Sequence, residues 1–162
     1  MATSTVKLDP PRFEERKAML IAGLRGHFTN ATWAGIPAQW QQLMSQGPIP
    51  GAVGSLHYGL CFNRPDGIDY LSGVEVSSAA GLPPGFSICQ IAAQDYAVFT
   101  HHGHVSELYN TMDAIQRNWA PHHELIRPSG GAPDFFESYS REFDPHTGRG
   151  GMEIWIPVVK KS

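Results

Sequence analysis

The chain has 162 residues, with 12 Lys and Arg against 15 Asp and Glu, a formal charge of −3. That length suits one domain, or two small repeats sharing a core. The lack of a basic excess argues against nucleic acid or an anionic membrane surface as a partner. The opening "MATSTVKLDPPRFEERK" holds no apolar leader, and nowhere do about 18 apolar residues run together, so a cytoplasmic protein with no membrane span is expected. Cys61 and Cys89 match no metal or redox spacing and read as buried free thiols.

In chain order, "FEERKAMLIAGLRGHF" (13–28) begins charged and continues apolar, which fits a strand, with helix as the competing assignment. "IPAQWQQLMSQG" (36–47) places Ile36, Trp40, Leu43 and Met44 on one helical stripe, with Pro37 in the first turn and Gly47 as a stop. "HYGLCFN" (57–63) and "DYLSGVEVS" (69–77), joined through Asp66-Gly67, predict a hairpin. After the small-residue segment 78–85 the order recurs. "FSICQIAAQDYAVFTHHG" (86–103) reads as one long strand or two short ones, and "HVSELYNTMDAIQRNW" (104–119) as a helix with Val105, Leu108, Tyr109, Met112, Ile115 and Trp119 on its apolar stripe. "FFESYSREF" (135–143) and "GMEIWIPVV" (151–159) supply two more strands. Strand-helix-strand-strand, twice over, predicts an α+β domain: an antiparallel sheet with helices on one face, its repeats spanning about 13–77 and 86–159.

Three strand-interior carboxylates stand out. Alternation puts Glu153 on one face with Trp155 and Pro157, Glu75 with Leu71 and Gly73, and Glu137 with Phe135 and Tyr139. Gly73 is expected to leave open space beside Glu75. Each acid alone is readable as a solvated residue on an open sheet face. Together, beside aromatic or small neighbours, they suggest a pocket in which a desolvated carboxylate awaits a cation.

The segments "LIAGLRGHFTNAT", "IPAQWQQLM", "YGLCFN", "YLSGVEVS", "YAVFTHHGHVSELYNTMDAI", "DFFESYSREFDP" and "GMEIWIPV" together resemble the GyrI-like family, also known as AraC effector-binding or multidrug-binding domains. The resemblance runs from about residue 18 to 159 and implies a duplicated strand-helix-strand-strand (SHS2-like) fold with a central cleft. It further implies an acidic, aromatic-lined cleft for hydrophobic, often cationic molecules, with Glu137, Glu153 and Glu75 as the acids and Trp155, Tyr139, Trp40 and Tyr70 as wall candidates. Which acid lies deepest is open. Trp40, Tyr109 and Trp119 also read as core, and Tyr70 could line either side. The family includes effector domains of transcription regulators, so a homodimer or association with a separate regulator is a further expectation. It also includes hydrolases of strained rings, so the alternative is an enzyme with Glu137 or Glu153 as general base. The leading residues are too few for a DNA-binding domain of the chain's own.

The histidines of "HHGH" (101, 102, 104) and "HH" (122, 123) complete no metal motif, and His101 and His102 project to opposite faces, so no metal is expected. No phosphate loop, dinucleotide fingerprint or nucleophile elbow occurs, and no cofactor is expected.

Overall fold

The computed structural model describes residues 8–120 and 132–158. Eight strands and two helices follow one another as β1 (Arg12–Arg16), β2 (Met19–Phe28), α1 (Ile36–Ser45), β3 (Ala52–Arg64), β4 (Gly67–Val76), β5 (Ser87–Ile91), β6 (Gln94–His101), α2 (Leu108–Ala114), β7 (Phe135–Tyr139) and β8 (Met152–Val158). Strand-strand-helix-strand-strand therefore occurs twice, and all eight strands join one antiparallel sheet in the order β1-β6-β8-β7-β3-β4-β2-β5. The central β3–β7 pair joins the halves. Each half lends its first strand to the other: β1 pairs with β6, and β5 pairs with β2.

The sequence expectation of one strand over 13–28 is corrected to two, broken at Lys17 and Ala18 where the chain crosses from one half's edge to the other's. Of the two readings of 86–103, the structure has the two short strands, β5 and β6. The strand expected over 135–143 stops at Tyr139, after which a turn donates Phe143 N–H to the Ser140 carbonyl. The helix expected over 104–119 is present as a helical run with a tight first turn, Val105–Glu107, and a widened π-helical last turn, Ile115–Trp119. His122 and His123 lie outside the described residues.

One sheet face packs under the helices. Phe99, Met152, Ile154 and Ile156 meet Leu108 of α2 and Ile115 of the π-helical turn that follows it, with Trp40 of α1 packed against the same cluster. The opposite face gathers Met19, Ile21, Tyr58, Leu60, Tyr96, Val98, Phe136 and Trp155 from five strands into a second core. Among the described residues no helix covers it, and the sheet curls upon itself. Arg16 of β1 lies 5.7 Å from the ring of Tyr58 on β3, although four inter-strand steps would separate them by about 19 Å in a flat sheet. Both cysteines are buried free thiols, and burial raises the pKa of each.

His101 ties β6 to α2. Its Nε2 lies 2.8 Å from the His104 carbonyl, which can only accept, so Nε2 carries the proton and Nδ1 accepts from the Thr111 hydroxyl at 2.7 Å. The "HHGH" corner is thus a staple made by a neutral imidazole. Burial lowers the His101 pKa, so below the ordinary value of about 6.5 the unfolded chain takes up a proton that the folded one resists, and stability falls as pH falls through that window. His57 is shifted in the same sense, whereas the exposed His27, between Asp69 and Asp66, is shifted oppositely. Thermal melts between pH 8 and pH 5 should show the midpoint dropping below about pH 6.5. His101→Gln should be less stable at pH 8 and show a shallower drop; an unchanged slope would remove His101 as the cause.

Candidate functional site

Glu137 lies in the middle of β7, at the junction of the halves, on the helix-covered face. Its strand partner on β3 is Gly59. The missing side chain there matters: a Cβ on Gly59 would lie 2.1 Å from the Tyr70 hydroxyl and 2.7 Å from Glu137 Oε1. Glycine in the interior of an apolar strand thus makes room for polar atoms from the two neighbouring strands. Into that space Tyr70 of β4 and Tyr139 of β7 each direct a hydroxyl, and both donate to Glu137 Oε1 at 2.7 Å. Among the described residues no donor reaches Oε2.

Trp40 extends the network. Its indole N–H donates to the Tyr70 hydroxyl at 3.1 Å, and its ring meets Tyr139 edge-on with centroids 5.4 Å apart. Tyr139 in turn packs against Phe143 at 5.1 Å, and His57, its partner on β3, also meets Trp40 with centroids 6.3 Å apart. Helix α1 presents Trp40 here because Gln39 fastens the helix to the sheet. The Gln39 amide donates to the Leu24 and Tyr70 carbonyls and to the Ser72 hydroxyl at 2.9–3.1 Å.

Desolvation among these rings pushes the Glu137 pKa up, and the hydroxyls of Tyr139 and then Tyr70 partly oppose it by stabilising the ionised form. The same surroundings hold the Tyr70 and Tyr139 hydroxyls far above the ordinary phenol range, so they remain donors. Hydrogen bonds to a charged acceptor contribute roughly 1.5–3 kcal/mol each. The arrangement is a carboxylate with one oxygen secured by hydroxyls, the other without a described donor, and aromatic edges around it. Trp33 and Tyr109 also meet edge to face at 6.4 Å, joining the turn before α1 to α2 while remaining 43% and 64% exposed. Tyr109 is therefore not core, contrary to its place on the helical stripe.

The other two acids lie elsewhere. Register pairs Glu137 with Ile154 and Ser138 with Glu153, so Glu153 points to the face opposite Glu137. Trp155 shares that opposite face. It stacks on Phe136 with an interplanar angle of 12° and donates its indole N–H to Ser138 Oγ at 2.9 Å. The cation beside Glu153 is the protein's own Arg12, which grips the carboxylate through both terminal nitrogens and lies 5.6 Å from the centre of the Trp155 ring. Arg16 covers the same indole at 5.0 Å. Glu75 joins Glu153, Trp155 and these arginines in lining an open cleft of about 500 Å³ under the β1–β2 corner. The expected open space beside Glu75 is not found at Gly73, where an added Cβ would fall 2.4 Å from the Ala22 carbonyl oxygen.

Of the residues singled out in the sequence, Glu137, Tyr139, Trp40 and Tyr70 come together, and Glu153, Glu75 and Trp155 form a separate group. The single cluster of three acids is corrected to one acid on the helix face and two on the other. Sequence reasoning missed Gly59, Gln39 and His57. Gly59 alone left a signal, as a glycine within "YGLCFN". Among the described residues no group of three or more His, Cys, Asp or Glu is placed to hold a metal.

The model of the GyrI-like small molecule binding domain matches residues 9–159. The transcriptional regulator BrlR of Pseudomonas aeruginosa is 29% identical over 157 residues, covering 91% of this chain and 54% of BrlR, so the chain spans about half the length of that relative. Among solved structures, SAV2435 bound to tetraphenylphosphonium superposes with a TM-score of 0.70 at 21% identity, covering 92% of this chain and 93% of that one. The C-terminal domain of EcmrR superposes with a TM-score of 0.68 at 16% identity, over 96% and 100% of the two chains. These likenesses show the fold. By its sequence, the chain belongs to the GyrI-like family of small-molecule-binding domains.

Proposed function

We propose that this domain binds hydrophobic organic cations on its helix-covered face, with Glu137 as counter-charge and Tyr70, Tyr139 and Trp40 as the wall. The observation that carries this reading is the convergence of both tyrosine hydroxyls on Oε1 with no described donor on Oε2. A desolvated carboxylate oxygen beside aromatic rings favours a cation with its own apolar body, because both charges are paired as water leaves. Glu153 and Trp155 serve this function from the other face, by holding β1 in place through Arg12 and Arg16. The solved relative bound to tetraphenylphosphonium supplies a suitable probe. The role that follows is that of a sensing or sequestering module for such molecules, alone or beside a regulator.

A hydrolase would use Glu137 as general base against an electrophilic ligand. Binding is favoured because the acids that the sequence offered as its partners, Glu153 and Glu75, face the other side of the sheet, leaving no division of acid and base roles among the three.

In calorimetry, tetraphenylphosphonium should bind more tightly than uncharged triphenylphosphine oxide. Glu137→Gln should weaken the phosphonium by tenfold or more, at least about 1.4 kcal/mol, while leaving the neutral ligand unaffected. Equal affinity of the two ligands for the wild type would contradict a counter-charge at this site.

Affinity for the cation should fall as pH is lowered through the raised Glu137 pKa, since the empty acid takes up a proton that the ligand must displace. Removing one donor to the ionised form, in Tyr139→Phe, should move that midpoint to higher pH, and Tyr70→Phe should move it less. Protonation of His57 beside Trp40 would repel the same ligand. A pH dependence unchanged in Glu137→Gln would assign the effect to that histidine and away from the acid.

A further inference from the structure

Beside the Glu137 site, on the same face, a groove of about 340 Å³ is lined chiefly by Leu43, Met44, Ile49, Leu56, His57 and Val74. Its walls come from two of the elements that build the acid site. Helix α1 presents Trp40 to Tyr70 and, a turn later, Leu43 and Met44 to the groove. Strand β3 presents Gly59 beside Glu137 and, two residues earlier, His57 to the groove. Two residues of strand span about 7 Å. The His57 ring lines the groove, lies 6.3 Å from that of Trp40 and pairs in register with Tyr139, so acid site and groove adjoin along α1 and β3. The groove is kept open where β3 shifts register between Ala52 and His57, with Gly54 in the left-handed conformation at φ 73°. Among the described residues no carboxylate lines it.

We propose that this groove is a subsite for the apolar tail of a single-chain cationic amphiphile whose head group pairs with Glu137. The inference rests on the reading of Glu137 given above and narrows its ligand class. An acid site adjoining an apolar trough that has no counter-charge among the described residues fits one charge and one tail. A ligand charged at both ends would leave its second charge unpaired in the groove.

The test is a homologous series of butyl-, hexyl-, octyl- and decyltrimethylammonium, titrated into the full chain below their micelle concentrations. Once the tail passes His57, each added methylene should tighten binding by about fourfold, the equivalent of ~0.8 kcal/mol per buried methylene. Ser55→Trp, from an exposed position on the groove wall, should remove the gain from hexyl to decyl while leaving butyltrimethylammonium bound as in the wild type. Met44→Ala, at a position that is 59% exposed, should reduce the gain without burdening the fold, and it keeps the test decisive if Ser55→Trp does not fold. Equal affinities for hexyl and decyl in the wild type, or a gain unchanged in both variants, would overturn the proposal. Glu137→Gln separates the two readings. Dependence on Glu137 without dependence on tail length sinks the groove alone. Dependence on tail length in the wild type with no effect of Glu137→Gln keeps the groove and sinks the counter-charge.

Discussion

An ionised carboxylate in an apolar wall is costly unless its oxygens are paired, and the placement of Glu137 at the join of two half-sheets imposes that condition on everything around it. Gly59 on the facing strand has to lack a side chain so that Tyr70 can reach Oε1. Tyr139 has to turn its hydroxyl to the same oxygen, and Trp40 has to sit where its indole N–H holds Tyr70. Helix α1 can place Trp40 there only because the Gln39 amide satisfies two backbone carbonyls and a hydroxyl on the sheet. Five elements are thereby committed to one oxygen atom. No donor among the described residues reaches the second oxygen.

The two sheet faces solve the same electrostatic problem in different ways. On the face inside the curl, Glu153 sits by the Trp155 indole, and the cation that such a pair attracts is delivered by the chain as Arg12, with Arg16 on the same ring. That interaction holds β1, an edge strand, against the rest of the sheet and lets two half-sheets close around one core. On the helix-covered face no described arginine or lysine meets Glu137. Acid beside aromatic ring is thus an internal clasp in one place and, in the function we propose, a receptor in the other, and the difference lies in whether a cationic strand reaches it.

Element identity was legible wherever periodicity was strong. Both helices, the β3–β4 hairpin and β8 follow their sequence patterns, and the repeated order foretold the α+β sheet. The exchange of β1 and β5 between halves was not legible, because 13–28 reads as nearly continuous strand, the break at Lys17 and Ala18 carries no turn residue, and 86–103, read as one strand or two, gave no sign of which neighbours its pieces pair with. Alternation sorted each strand's residues onto faces correctly but could not relate one strand's faces to the next. Glu137 and Glu153 come from strands that pair directly, and the register that matches Ser138 with Glu153 sends them to opposite sides. Tyr109 fits the helical stripe by spacing, yet its ring projects past the core edge to meet Trp33, a contact between segments that no local pattern encodes.

The Glu137 carboxyl is the atom group on which the functional reading turns, and its titration can be followed directly by carbon-13 NMR of glutamate-labelled protein, assigned through Glu137→Gln. The expected result is a pKa above that of an exposed glutamate in the free protein, falling when tetraphenylphosphonium binds, because a cation at Oε2 stabilises the ionised form that burial disfavours. A Glu137 pKa that is the same with and without bound phosphonium would mean that the cation and the carboxylate do not meet, and would contradict the assignment of this acid as the ligand's counter-charge.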